Sequence, residues 1–436
     1  MWLKVVVFGL FLTYINCQVN SSAQPKVVCY YNSTSFLREG LGKVVINDVE
    51  QALPFCTHLV YGWASVDFGS NKVVSSNPSL DLDSGKGNFR LVTTLKRRYP
   101  NTKFLLGLGG LPYDKDRTEQ YYAVLESSGA RLSLINSAYE LVKTYDFDGI
   151  NIAWEFPPIK PKKIRSSLGS FWHGVKKTFG GTKVVDEKAE EHKEAFTSLT
   201  RDFKNAFKLD NYIVATTVMP NVNASHYYDV PVLMNYLDFV VLGSFDFYTP
   251  ERNPKEADFA APLYPLSERN PELNVDSQVT WWLNARAPAT KIVVGIPTFG
   301  RAWELDKDSG LTGVPPLPAD GRADPGPQTQ QKGILSWPEV CSKLPNPSNA
   351  NKKGPEGPLR KVGDPTKRFG SYAYRLAEDD GEWVSYEEPA TAAIKAQYVK
   401  AKGLGGIGIF DIDKDDFRGA CQGEKYPILR AAKQPL

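Results

Sequence analysis

The chain has 436 residues, of which 42% are hydrophobic and 23% charged, with a formal net charge of +3. That is the make-up of an ordinary globular protein with enough chain for one large core or two smaller ones, and it excludes a disordered polymer. So small a charge excludes a nucleic-acid partner held by overall electrostatics, and contact with a polyanion would need a local patch.

The first segment reads as an export signal. Lys4 precedes the apolar run Val5 to Leu12, and polar sequence begins near Asn16-Cys17-Gln18. This order describes a cleaved leader over residues 1–17, with the cut expected after Cys17. The run is too short to span a bilayer, and no other stretch could, so a secreted extracellular protein without a membrane span is expected. Removing the leader takes Cys17 and leaves Cys29, Cys56, Cys341 and Cys421, an even number in an oxidising compartment. Of the three pairings open to them, Cys29 with Cys56 and Cys341 with Cys421 is favoured, because the first two open successive strand-like runs and the last two share the C-terminal third. Asn20, Asn32 and Asn223 each begin an Asn-x-Ser/Thr triplet and are candidate glycosylation sites.

From Lys26 onward, short β-rich apolar runs alternate with helical stretches. They cover Lys26 to Tyr31, His58 to Ala64, Lys103 to Leu108, Gly149 to Trp154, Tyr212 to Val218, Phe239 to Phe245, Lys291 to Pro297 and Gly406 to Ile412. Strands alternating with helices imply parallel pairing, and eight of them over this length predict an α/β fold of the (β/α)8 TIM barrel kind. The barrel is expected over 26–302 and 393–432. The stretch 303–392 is too long for one crossover and predicts an inserted small α+β subdomain between strands seven and eight, which Cys341 could fasten to the barrel.

A second insertion follows the fourth strand. Lys160, Lys162, Lys163, Arg165, Lys176 and Lys177 occur there without an acid before the segment turns acidic and helical near Asp186. It reads as a solvated loop, with contact to sulfated glycans or acidic lipid as the functional alternative. Gly403-Leu-Gly405-Gly406-Ile-Gly408 has the letters of a dinucleotide motif, but it leads into a strand instead of following one, and it is rejected. His58, His173, His192 and His226 show no metal-ligand spacing. No cofactor or metal is expected.

The segment Phe147 to Pro157 carries the functional signal. In a strand, Asn151, Ala153 and Glu155 project to one face and Ile150, Ile152 and Trp154 to the other. Glu155 falls at the C-terminal end of a barrel strand, where such barrels place their chemistry.

With Asp148, this segment resembles the D-x-x-D-x-D-x-E signature of family 18 chitinases. The likeness extends over nearly the whole mature chain: Cys56 to Ala64 is similar to the family's second strand, Gly295 to Arg301 to its seventh, and Gly405-Gly406 through Phe417 to its eighth. Within the family, Tyr30 to Gly40 and the basic insertion most resemble the imaginal disc growth factors, secreted chitinase-like proteins of insects. The resemblance implies that the terminal Glu protonates the glycosidic oxygen while the substrate's own acetamide attacks, a departure from the two-carboxylate scheme. It also implies an Asp two residues earlier, a further Asp before that, a Tyr on strand six, and Trp residues after strand three and on strand eight. Here those positions hold Ala153, Asn151, Phe245, Leu111 and Phe410.

Removing one preorganised electrostatic contact typically costs about a hundred- to a thousandfold in rate. The chain is therefore expected to be no enzyme, with Glu155 a remnant acid. Trp63, Asp246, Arg301 and Phe410 are the candidate sugar-binding residues, at positions that line the family's groove. The leading expectation is a monomeric, non-catalytic growth factor that promotes proliferation or tissue organisation through a glycan or a cell-surface receptor. A slow chitinase using Glu155 is the alternative, and a chitin- or cuticle-associated lectin the second.

Overall fold

The computed structural model describes residues 24–111, 114–161 and 186–436. The predicted leader, Asn20 and the basic residues Lys162, Lys163, Arg165, Lys176 and Lys177 lie outside the described residues. Among the described residues, no helix is long and apolar enough to cross a membrane.

Eight parallel strands form the central sheet: β1 (Lys26–Asn32), β2 (His58–Asp67), β3 (Lys103–Gly109), β4 (Gly149–Ala153), β5 (Ile213–Val218), β6 (Phe239–Leu242), β7 (Ile292–Pro297) and β8 (Gly406–Phe410). Each pairs with the next, and β1 pairs with both β2 and β8, which closes the barrel. Strands covered on both faces read as unbroken apolar runs, and the two-residue alternation decides which side chain goes where. Val28, Tyr30, Val60, Leu105, Val241 and Val293 fill the interior. Their neighbours Val27, Cys29, Tyr31, Ile292 and Val294 pack outward into the layer beneath the helices.

Several strand ends differ from expectation. β2 runs on to Asp67 because its extension pairs with a hairpin strand, Lys72–Ser75. β6 stops at Leu242, since the Ser244 amide turns back to donate to the Leu242 carbonyl at 2.8 Å. β4 stops at Ala153, where a similar turn brings the Phe156 amide to the Trp154 carbonyl at 3.0 Å. Phe245 and Glu155 consequently sit just past their strands, at the mouth of the barrel.

A second sheet stands beside that mouth. Its path runs Arg360–Val362, Ser371–Arg375, Glu382–Tyr386, Phe299–Leu305, Leu317–Arg322 and Glu256–Ala257, with Ile334–Ser336 attached to Phe299–Leu305. Most of it lies between β7 and β8, but Glu256–Ala257 comes from the loop after β6. A disulfide joins Cys341, on the helix Trp337–Lys343, to Cys421 beyond β8, with Cα atoms 5.9 Å apart. Another joins Cys29 on β1 to Cys56 ahead of β2, also with 5.9 Å between Cα atoms.

Candidate carbohydrate site at the barrel mouth

The face shared by Asn151, Ala153 and Glu155 points into the barrel, but the three side chains have different fates. Asn151 is fully buried. Its Oδ1 accepts from the Thr217 hydroxyl at 2.8 Å, its Nδ2 donates to the Tyr30 hydroxyl at 3.4 Å, and those two hydroxyls lie 2.7 Å from each other. Burial pushes the Tyr30 hydroxyl far above its ordinary range and keeps it protonated. A neutral amide closes this triangle without a buried charge, which would be costly here.

Ala153 places a methyl group where the family signature has its central acid, and its carbonyl accepts from the Gly110 amide at 3.0 Å. Trp63 lies across β3. A Cβ on Gly107 or Gly110 would come within 2.8 Å of the indole ring, so the two glycines make room for it.

Glu155 turns away from the barrel axis. Only 3% of the residue is exposed, and its Oε2 accepts from Arg117 Nε at 2.5 Å. Oε1 takes the Leu111 amide at 3.3 Å and the Tyr121 hydroxyl at 3.5 Å. Arg117, Thr118 and Tyr121 lie on the helix Lys115–Glu126, whose first turn is capped by Asp114 through the Arg117 amide at 2.8 Å. Thr118 fixes the same junction by donating to the Glu155 carbonyl at 3.3 Å. Burial raises the Glu155 carboxyl above its ordinary range, and Arg117 pulls the other way.

The remaining candidates also have partners. Arg301 Nε and Nη2 grip the two Asp246 oxygens at 2.7 and 2.5 Å, a fork-to-fork pair. The Arg301 guanidinium also sits 5.0 Å from the Phe299 ring. Phe410 stacks on Tyr30 at 3.9 Å and meets Phe245 at 5.0 Å, and Phe245 lies edge-on to Phe299 at 6.0 Å. Between Asp246, Arg301 and Tyr386 the space is about 10 Å3, room for about one water rather than a pyranose. Asp148 stands at the opposite end of β4, accepting from the Phe104 amide at 2.7 Å with Lys96 Nζ 3.3 Å away.

A profile of the glycosyl hydrolases family 18 matches residues 26–415. The chain belongs to glycosyl hydrolase family 18. It is 59% identical to the chitinase-like protein Idgf4 of Drosophila melanogaster over 96% of each chain. It is 57% identical to imaginal disk growth factor 6 of the same fly, over 96% of this chain and 95% of that one. Human YKL-39, described as a pseudo-chitinase with retained chitooligosaccharide binding properties, superposes with a TM-score of 0.75 at 26% identity, covering 94% of this chain and 99% of that one. Within family 18 the chain therefore falls among the insect chitinase-like proteins of the imaginal disc growth factor type.

Phe245 and Phe410 meet at the mouth of this family 18 barrel, with Tyr30 between Phe410 and Trp63, while Asp246 and Arg301 are brought against each other. Leu111 reaches the acid through its amide. Sequence reasoning missed Arg117, Thr118 and Tyr121. A faint signal was present, for Asp114 three residues before Arg117 has helix-cap spacing, and a helix starting just after β3 begins near the barrel mouth. Asn32 and Asn223 are both partly exposed and cap short helices, accepting from Thr34 and Ser225 respectively.

Proposed function

We propose that this chain is a secreted, non-catalytic chitinase-like growth factor that promotes cell proliferation or tissue organisation through a glycan or a cell-surface receptor. The observation that carries the loss of catalysis is the Arg117 clamp on Glu155. A general acid must reach the leaving oxygen in its protonated form, whereas this carboxyl faces a helix, paired with a cation. Its family helpers are a methyl at Ala153, a neutral amide at Asn151 and a phenyl at Phe245. The names borne by the insect relatives support the growth-factor part of the reading.

Chitooligosaccharide turnover tests it. Wild type and Glu155→Gln are expected at the same background rate, and Ala153→Asp is expected to stay there, because one carboxylate restores neither the Phe245 position nor a free acid. A rate in wild type that Glu155→Gln abolishes would establish the slow-chitinase reading instead. Retained glycan binding is a second reading, favoured by the partly exposed ring of Trp63 and by the description of YKL-39. Chitin pull-down with Trp63→Ala as the control separates it from receptor recognition, which sugar should not compete.

A further inference from the structure

The closed end of the barrel, opposite the mouth, gathers basic side chains about its axis. The alternation that turns Val28, Val60 and Leu105 inward gives the same facing to Lys26, His58 and Lys103, two residues earlier at the starts of β1, β2 and β3. Their contacts agree. Phe239 of β6, itself in the interior layer, has the Lys26 ammonium 5.8 Å from its ring centre and the His58 ring edge-on at 5.1 Å. His58 stands level with Lys103 in the parallel register. Lys291, just ahead of β7, adds a fourth basic residue, its Nζ held by the Met234 and Leu237 carbonyls at 2.8 and 2.6 Å.

Three of these groups are within reach of solvent and short of partners. Lys26 is partly exposed, and its Nζ has neither an acid nor a hydrogen-bond acceptor among the described residues. Withdrawing an ammonium from water without such a partner is costly, and burial accordingly pushes Lys26 below its ordinary range, with Asp238 pulling the other way. His58 is also partly exposed. Its Nδ1 meets the Thr57 hydroxyl at 2.8 Å, which frees Nε2 to carry a proton and donate, and Nε2 has no partner among the described residues. Lys103 is exposed, with Asp148 at 3.9 Å, the limit of pairing. The nearby acids are committed elsewhere. Asp238 takes Lys204 at 2.7 and 2.8 Å and the Val214 amide at 2.8 Å, while Asp148 takes the Phe104 amide at 2.7 Å with Lys96 at 3.3 Å. The stretch from Gln18 to Pro25 that precedes β1 contains no acid to fill the gap.

Donors from three adjacent strands around one axis suit a group that only accepts and has oxygens pointing in several directions. A tetrahedral oxyanion has this form, and lysine binds it as a point charge. A carboxylate offers two oxygens to three donors, and a neutral sugar would leave the Lys26 charge uncompensated. We propose that the closed end of the barrel is an oxyanion site for a single sulfate or phosphate group, with Lys26, His58 and Lys103 as its donors. The group is either the free ion or its ester on a glycan, and the chemistry recognised is the same. This site faces away from the mouth and stands whether or not the mouth binds sugar.

Titration of the full mature chain with inorganic sulfate, inorganic phosphate, N-acetylglucosamine 6-sulfate and plain N-acetylglucosamine tests the assignment, followed through the His58 ring resonances at constant ionic strength. At least one of the anions should bind and move the His58 signals, and the neutral sugar should not. Lys26→Gln and Lys103→Gln should each weaken binding by about tenfold, the worth of one charge-assisted hydrogen bond. Lys353→Gln, which changes an exposed lysine outside the barrel, should leave it unchanged. The thermal midpoint of Lys26→Gln should not fall, because the change removes an unpaired charge, and Lys103→Gln at its exposed position decides the matter if Lys26→Gln fails to fold. Tighter binding of the sugar sulfate than of inorganic sulfate identifies a glycan ester as the source, and the reverse order identifies the free ion. The site is overturned if none of the anions binds at millimolar concentration, if the three lysine changes weaken binding equally, as diffuse surface charge would, or if a bound anion leaves the His58 signals unmoved.

Discussion

The mouth of the barrel and its flank, formed by the loops after β5 and β6, hold similar side chains in opposite states. At the mouth, Arg301 grips Asp246, Arg117 grips Glu155, and Asn151 is closed into a triangle with Tyr30 and Thr217. Aromatic rings occupy the space between. On the flank, Asn221, Arg252 and Asn253 each leave a buried atom without a partner among the described residues. At the mouth the polar groups find one another, and Phe245 and Phe410 pack against each other and Tyr30. Asn221 joins the two regions, since its amide supports the carbonyl of Asp246 on the mouth side.

The largest test of this contrast removes the filling. Phe410→Ala deletes a buried ring stacked on Tyr30 at 3.9 Å and should cost about 3 to 5 kcal/mol, as large-to-small changes in packed cores do. Urea denaturation measures it, and a cost below about 1 kcal/mol would mean that the mouth is looser than its contacts imply.

Breaking the clamp comes next. Arg117→Ala leaves the Glu155 carboxylate buried without its cation, and a loss of about 2 to 4 kcal/mol is expected, the lower part of that range reflecting the partly exposed Arg117 side chain. Adding Glu155→Gln to Arg117→Ala should recover most of the loss. If the double variant is no more stable than Arg117→Ala alone, Glu155 is held by something other than the ion pair.

The closed end of the barrel offers a third comparison, through a titration. Burial holds the His58 imidazole down at about 4, with Lys26 and Lys103 adding to the effect, against an ordinary value of 6.5. The folded state keeps this ring neutral while the unfolded chain protonates first. Its contribution is therefore present above pH 6.5 and is lost as pH falls from there toward 4, by about 3 kcal/mol. Denaturation midpoints at pH 7 and pH 4.5 should draw together in His58→Gln, and an unchanged pH slope would place the acid sensitivity elsewhere.

The smallest effect belongs to the flank. Asn253→Ala removes an oxygen that bonds to nothing among the described residues, so stability should change by no more than about 0.5 kcal/mol. A loss near that of Arg117→Ala would show that the flank is internally satisfied like the mouth, and the contrast between the two would disappear.

Much of the architecture was legible because its signals are local. Apolar runs separated by helical stretches mark eight strands, and a period of two puts Asn151 and Ala153 on one face of β4 whatever surrounds them. The replaced positions at Asn151, Ala153, Phe245 and Phe410 could likewise be read one by one against the family signature. Strand ends were less legible: the turns after Leu242 and Ala153 are set by single backbone hydrogen bonds, with no composition change to announce them. The partners of Glu155 were legible only as the faint cap signal at Asp114, because Arg117 is 38 residues away along the chain and meets the acid through the packing of a helix against the neighbouring strand.

The sequence by itself determined the order of strands, the face each residue of β4 presents and which residues stand at Asn151, Ala153, Phe245 and Phe410, since backbone geometry and residue identity suffice for these. Only the tertiary structure decided that Glu155 is clamped by Arg117, that Asp246 and Arg301 neutralise each other, and that Glu256–Ala257 joins the second sheet. Each of these depends on which surfaces close packing brings together across long stretches of chain, and no local pattern encodes that choice.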